Sequence, residues 1–232
     1  MLSAMDKLES YLFERGNISH SPLLRDVAYD RLQDAVIHAG LQPGDPLSET
    51  RISKALGISR TPVREAIQQL AKEGLLQIIP GRAITVAAPS MQDVLDAIHV
   101  RELLEPEVVR LAADNLPATQ RQSLRSLTEE MERAARAGDR RSWSKADIKW
   151  HEILCNFCPN RLLGQMTLEA RNRIYTKAAD EHVADQYLIE GTLEHLEIVE
   201  AILAREAATA ERLMVEHIRS VRDNMFKHWG RY

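Results

Sequence analysis

The chain of 232 residues is poor in cysteine, with two, and in aromatic side chains, at 5%. No stretch approaches the ~18 consecutive apolar residues that cross a membrane, and the N-terminus carries no apolar signal segment. The cytoplasm is therefore the expected compartment, without membrane contact, and a disulfide between Cys155 and Cys158 is not expected there. No internal repeat is visible. An excess of positive charge is also missing: the formal net charge is −4, which by itself argues against a nucleic-acid partner. What is present, 44% hydrophobic and 28% charged residues, is ordinary for a globular protein long enough for two cored domains.

Sorting the charges changes the picture. Residues 51 to 82 hold six basic side chains (Arg51, Lys54, Arg60, Arg64, Lys72, Arg82) against two acidic ones (Glu65, Glu73), whereas residues 87 to 232 hold twenty basic and twenty-four acidic. A basic patch is carried on an acidic body, and the patch has a pattern. Gly57 supplies the left-handed backbone that ends one helix, Ser59 or Thr61 can cap the next, and Pro62 sits where a first turn tolerates a missing amide. Arg60 and Arg64 project one turn apart from one face, and Val63, Ile67 and Leu70 line the other. An arginine fork matches the O6 and N7 edge of guanine, while Thr61 and the free amides of the helix start suit phosphate.

Upstream, residues 22 to 38 read as an amphipathic helix, Gly40 to Asp45 as a turn, and Ser48 to Ser53 as the opening of the next helix. Downstream, Leu75 to Ile79 and Ala83 to Val86 read as two strands joined by Pro80-Gly81-Arg82, a two-stranded wing. On Gly40 to Leu47, Ser59-Arg60-Thr61-Pro62-Val63-Arg64-Glu65-Ala66 and Glu73-Gly74-Leu75, residues 22 to 88 resemble the winged helix-turn-helix domain of the GntR family of bacterial transcription regulators. The resemblance implies that Arg60, Thr61 and Arg64 take base and phosphate contacts, that Glu49 and Thr50 lie beside the DNA backbone, and that Gly81 and Arg82 form the wing tip. The wing departs from the usual Arg-Gly order, having Arg82-Ala83 with its glycine earlier.

Residues 1 to 21 are a weakly patterned, partly helical leader, and Ala87 to Ser90 a linker. From Met91 onward the sequence reads as six or seven helices in an all-α bundle, broken near Asn115, Gly138, Cys158, Asp185 to Gly191, and Arg205. The fold class expected is thus mainly α, a winged helix-turn-helix followed by a helical bundle. Val100 to Pro106 and Glu194 to Ile202 resemble the all-helical effector domain, FCD, of FadR-like members of the same family, covering roughly residues 92 to 229.

Asp147 and His151 lie four apart on one helix face, and His195 and His217 sit on two later helices. Three imidazoles and a carboxylate can converge on one divalent cation, and N/O ligation leaves zinc, nickel or manganese open, with zinc placed first. The four positions match the metal ligands of FCD-type regulators. His20, His38, His99, His182 and His228 read as core or surface residues, and Trp143, Trp150 and Trp229 as packing. A rival set replaces two imidazoles with Cys155 and Cys158, although one C-x-x-C without a second pair more often marks small buried hydrophobes.

Such a cation accepts a carboxylate or hydroxyl oxygen, so the resemblance implies a small organic acid as effector, of the lactate, gluconate or sugar-acid kind. Arg101, matching a recurrent family arginine, and Asn172 are the candidate effector contacts; alternatively Arg101 pairs with Glu105 at i,i+4 spacing and Asn172 faces solvent. The reading that follows is a homodimeric regulator, a repressor in the first instance. Its helices read a palindromic operator, and effector binding alters the separation or tilt of the winged domains. A metal-dependent enzyme is the competing class, and a purely structural metal the third.

Overall fold

The computed structural model describes residues 2–13, 24–174 and 185–228. His20, His182 and Trp229 lie outside the described residues, as does the second half of the leader. The chain divides into two compact units, residues 1–91 together with 172–180, and residues 92–171 together with 181–232. No described helix is long and apolar enough to cross a membrane.

In the N-terminal unit, α1 (Ala4–Phe13), α2 (Leu24–His38), α3 (Glu49–Leu56) and α4 (Arg60–Lys72) surround a small sheet of β1 (Pro46–Leu47), β2 (Leu76–Ile79) and β3 (Ala83–Val86). The sheet is antiparallel in the order β1-β3-β2, with Ile78 opposite Ile84 and Leu47 opposite Ile84 on the other side. The wing therefore has three strands where the sequence pattern suggests two. A two-residue strand containing proline carries no alternation to reveal it.

The described half of the leader, α1, is an integral helix of this unit. Met5, Leu8 and Leu12 recur at helical spacing and are buried, and polar ties run outward from the same helix. Tyr11 Oη donates to Asp34 Oδ2 at 2.7 Å, Lys7 Nζ to the Gly40 carbonyl at 3.2 Å, and Arg51 on α3 reaches Glu9 Oε1 at 2.6 Å and Asp6 Oδ1 at 2.7 Å.

The turn between α3 and α4 is made by Gly57 at φ 70°, whose N–H closes on the Lys54 and Ser53 carbonyls. That left-handed conformation is readily adopted only by glycine. At the α4 start, Ser59 occupies the N-cap but makes no side-chain cap bond. A cap accepts from the second or third helical amide, and the third position is Pro62, which has none. The first turn of α4 stays open. Val63, Ala66, Ile67 and Leu70 bury the opposite stripe.

The C-terminal unit contains six described helices: α5 (Met91–Asn115), α6 (Ala118–Ala137), α7 (Arg140–Asn156), α8 (Arg161–Asn172), α9 (Asp185–Leu203) and α10 (Ala207–His228). The break expected over Asp185 to Gly191 is not there, because α9 runs straight through it. Tyr187 and Leu188 bury against Met131, Ala134, Trp143 and Ala146. Gly191 is a packing glycine, since an added Cβ would meet the Tyr187 ring at 3.2 Å.

One guanidinium ties this bundle together. Arg121 on α6 is buried and donates to the Leu116 carbonyl at 2.8 Å, the Ala113 carbonyl at 2.7 Å and the Ile202 carbonyl. These carbonyls lie at the C-terminal ends of α5 and α9, where helix acceptors run out of intrahelical partners; that of Ile202 also accepts from the Arg205 N–H at 3.2 Å. Arg121→Ala is expected to cost about 3 kcal/mol of stability, from several unsatisfied buried acceptors. Urea unfolding monitored by circular dichroism measures it, and a loss within error of zero contradicts this role.

Candidate metal centre and DNA-reading surface

Asp147 and His151 project one turn apart from α7, His195 comes from α9 and His217 from α10, and all four are buried. His151 Nε2 stands 3.2 Å from His195 Nε2, and Asp147 Oδ1 lies 3.0 Å from His195 Nε2 and 3.5 Å from His151 Nε2. One nitrogen from each of the three rings falls within 4.8 Å of the others.

The outer ring nitrogens explain why the inner ones converge. His195 Nδ1 donates to the Gly191 carbonyl at 2.6 Å, His217 Nδ1 to Glu194 Oε2 at 2.8 Å, and His151 Nδ1 faces Glu105 Oε2 at 3.2 Å. Each partner is an acceptor, so each Nδ1 carries a proton, and Nε2 is the atom left free to serve as a ligand when it is unprotonated. Burial pushes His217 down to about 4, with His195 adding to the effect, and burial followed by Arg171 lowers His151. Neutral imidazoles of this kind are metal ligands.

Lone pairs and a carboxylate oxygen crowded at this spacing repel unless a cation or proton lies between them. Ligands at about 2.0–2.1 Å from one ion stand about 3.0–3.4 Å apart, close to the 3.0, 3.2 and 3.5 Å found among Asp147, His151 and His195, with His217 within 4.8 Å of the other two rings' ligand atoms. The residues present fit a divalent cation. Cys155 and Cys158 are buried free thiols outside the histidine group, and burial raises the Cys155 thiol strongly.

A layer of buried charge backs the centre. Arg101 Nε pairs with Glu105 Oε1 at 2.5 Å, the i,i+4 ion pair that the spacing allows, and Arg171 reaches Glu105 Oε2 at 3.3 Å and Asp147 Oδ2 at 3.1 Å. Burial acts to raise Glu105, but Arg101 and Arg171 draw it well below the usual carboxylate range. Burial likewise opposes ionisation of Asp147, and His151 and Arg171 overcome it. Arg171 and Glu194 are not singled out by the sequence, and Glu105 only as the i,i+4 partner of Arg101; the contacts of Arg171 and Glu194 are distant in the chain, and an apolar stripe gives no mark of a buried charge. Asn172, the neighbour of Arg171, is not brought to the centre. It groups with the N-terminal unit, where its amide donates to Glu73 Oε2 at 3.1 Å.

The Trp150 ring packs edge-on at 4.7 Å from both His151 and His195, and its buried N–H has no acceptor among the described residues. On the N-terminal unit, Arg60 and Arg64 are 59% and 56% exposed and share the carboxylate of Glu49. Thr50, Thr61, Gly81 and Arg82 are exposed, the last two in the turn that joins β2 to β3.

Removing Arg171 leaves two buried carboxylates short of a partner. Arg171→Ala is expected to destabilise by about 3–5 kcal/mol at pH 7. Because the folded-state values of Glu105 and Asp147 are depressed, their stabilisation is present above the ordinary 4.5 and 3.8 and fades as pH falls through the lower folded values. The gap between wild type and variant, read from denaturant midpoints, therefore narrows below about pH 4; a gap that widens on acidification contradicts the assignment.

Comparison with known proteins follows the same division. Residues 24–86 match the gntR family of bacterial regulatory proteins, and residues 96–220 match the FCD domain. The HTH-type transcriptional repressor RspR of Escherichia coli K12 is 28% identical over 199 residues, spanning 85% of this chain and 86% of the repressor. The HTH-type transcriptional repressor NanR of Cronobacter sakazakii is 26% identical over 222 residues, spanning 85% and 84%. The solved structure of E. coli McbR/YncC superposes with a TM-score of 0.78 at 21% identity, covering 91% of this chain and all of that one, and so shares its fold. Taken with the open-ended α4 and the all-helical C-terminal unit, these matches place the chain in the GntR family of transcription regulators, which are not enzymes, in the branch that carries an FCD domain.

Proposed function

We propose that the chain is a repressor that senses a small carboxylate through a divalent cation held by Asp147, His151, His195 and His217, and that it reads a palindromic operator as a homodimer. Zinc suits the three-nitrogen, one-oxygen donor set, and nickel or manganese is compatible with it. When bound, the cation supplies a Lewis-acidic position for an effector oxygen. Glu194, Glu105 and the Gly191 carbonyl hold the imidazoles in their ligating tautomer, and Arg171 holds Asp147.

Charge supports an anionic effector. Arg101 and Arg171 offset Glu105 and Asp147, so a divalent ion leaves the buried centre positive, opposed by the half-buried Glu194. An organic acid restores the balance. The orphan indole N–H of Trp150 offers a donor to an oxygen ligand, and Arg101 a guanidinium. Asn172 is left out of this set because its amide already serves Glu73.

On the DNA side, Arg60 and Arg64 read guanine edges. Thr61 and the uncapped amides of α4 take phosphate, Thr50 lies beside the backbone, and Gly81 and Arg82 enter the adjacent groove as a wing. Repression is favoured because RspR and NanR are repressors. Two-fold symmetry in the protein calls for a matching symmetry in the operator.

The observation that carries the sensing half is the convergence of three imidazole nitrogens, two of them within 3.5 Å of the Asp147 carboxylate, in a buried and charge-paired site. A thermal-shift screen of small carboxylic acids on metal-loaded protein is expected to yield a hit that disappears on chelation and in His195→Ala. That acid changes operator affinity by about 5–150-fold. A melting temperature that falls on chelation while no acid alters DNA binding identifies a structural metal instead.

For the DNA half, Arg64→Ala is expected to weaken specific binding more than binding to random duplex, and Lys54→Ala to weaken both alike. Titrations by fluorescence anisotropy separate them, and equal losses contradict base reading by Arg64.

A further inference from the structure

An acidic side chain beside a phosphate-facing surface is at odds with binding DNA, and Glu49 stands at that place. It occupies the first turn of α3, where the open helix end favours a carboxylate. Its Oε1 accepts from Arg60 Nε at 2.8 Å and from Arg64 Nη2 at 3.0 Å, and its Oε2 accepts from Arg64 Nε at 2.9 Å. Glu49 is 14% exposed, far less than either arginine it holds.

The hydrogens it takes are informative. A guanidinium has five N–H donors in a rigid plane. Arg64 gives Glu49 its side-on fork, the Nε hydrogen and the near hydrogen of Nη2, and keeps its end-on fork of Nη1 and the outer Nη2 hydrogen. Arg60 gives only Nε and keeps both terminal nitrogens. Guanine needs two parallel donors for O6 and N7, and each arginine retains such a pair. Without the carboxylate, two like charges one helical turn apart repel and their long side chains splay. Arg64 in turn holds the Glu49 carboxyl below its usual range, so the clamp is ionised at neutral pH.

We propose that Glu49 is a positioning residue for sequence reading: it fixes the guanidiniums of Arg60 and Arg64 side by side through their Nε edges and leaves their terminal edges for guanine. This rests on the reading above, that the α4 face enters the major groove. Glu49 thereby trades general affinity for DNA, which its charge lowers, for discrimination between sequences, which its geometry raises.

The test uses the full-length chain and a duplex pool with a randomised centre. Wild type selects a preferred site, and dissociation constants are then measured for that site and for a scrambled duplex with wild type, E49Q and E49A. The ratio of the two constants is expected to fall at least about tenfold in both variants, the scale of one lost bidentate contact, while affinity for scrambled DNA holds or rises. Reselection with E49A is expected to lose its preference for guanine. Should E49A misfold, E49Q carries the same comparison with the shape retained. A rise in affinity for both duplexes with an unchanged ratio makes Glu49 a competing anion and overturns the proposal. Arg60→Ala with Arg64→Ala in the same assay isolates the parent reading: an unchanged ratio there, or no site enriched by wild type, means that α4 is not the reader.

Discussion

Three imidazole nitrogens and a carboxylate converge in a buried site, and crowded acceptors of this kind repel one another unless a cation or a proton lies between them. The three outer nitrogens are committed to Gly191, Glu194 and Glu105, so ring rotation would break a buried hydrogen bond and orphan an acceptor. Asp147 is fixed from behind by Arg171. A divalent cation would satisfy the donor types that are there, and because α7, α9 and α10 each supply a residue, a cation bound there would also join three helices.

The N-terminal unit shows a related device with hydrogen bonds in place of a metal. The α4 helix begins without a side-chain cap, Pro62 having removed one of the two amides a cap can use, and the exposed Arg60, Thr61 and Arg64 stand at its open first turn. Glu49, at the start of α3 directly after the Ser48 cap, spans the turn to both arginines. In both units a few exposed or ligand-facing atoms are oriented by partners that themselves touch no ligand. Such backing residues set precision where the outward residues set chemistry.

What could be read from the chain follows from how local each signal is. Gly57, Pro62 and the Arg60–Arg64 spacing act within one turn of helix, and α4 and the wing strands β2 and β3 lie where their residues suggest. The Asp147–His151 pair is equally local, whereas His195 and His217 joined it only through likeness to a family. Glu49 was noticed as a residue beside DNA but not as the clamp, because its partners are eleven and fifteen positions away and outside the helix that contains it. Arg171 and Glu105, separated by 66 positions, carry no pattern at all until the fold brings them together. Strand β1 is too short to alternate. Gly191 looked like a break because glycine usually is one, and only the ring of Tyr187 against it explains a glycine inside α9.

The central claim, a cation held by three imidazole nitrogens and one carboxylate oxygen, is tested most directly by X-ray absorption at the metal edge on protein purified without chelator, alongside elemental analysis. The account predicts about one divalent ion per chain with nitrogen and oxygen ligands at about 2.0–2.2 Å and no sulfur scatterer. A sulfur shell at about 2.3 Å, or a chain that neither retains nor takes up a stoichiometric divalent ion at neutral pH, contradicts it.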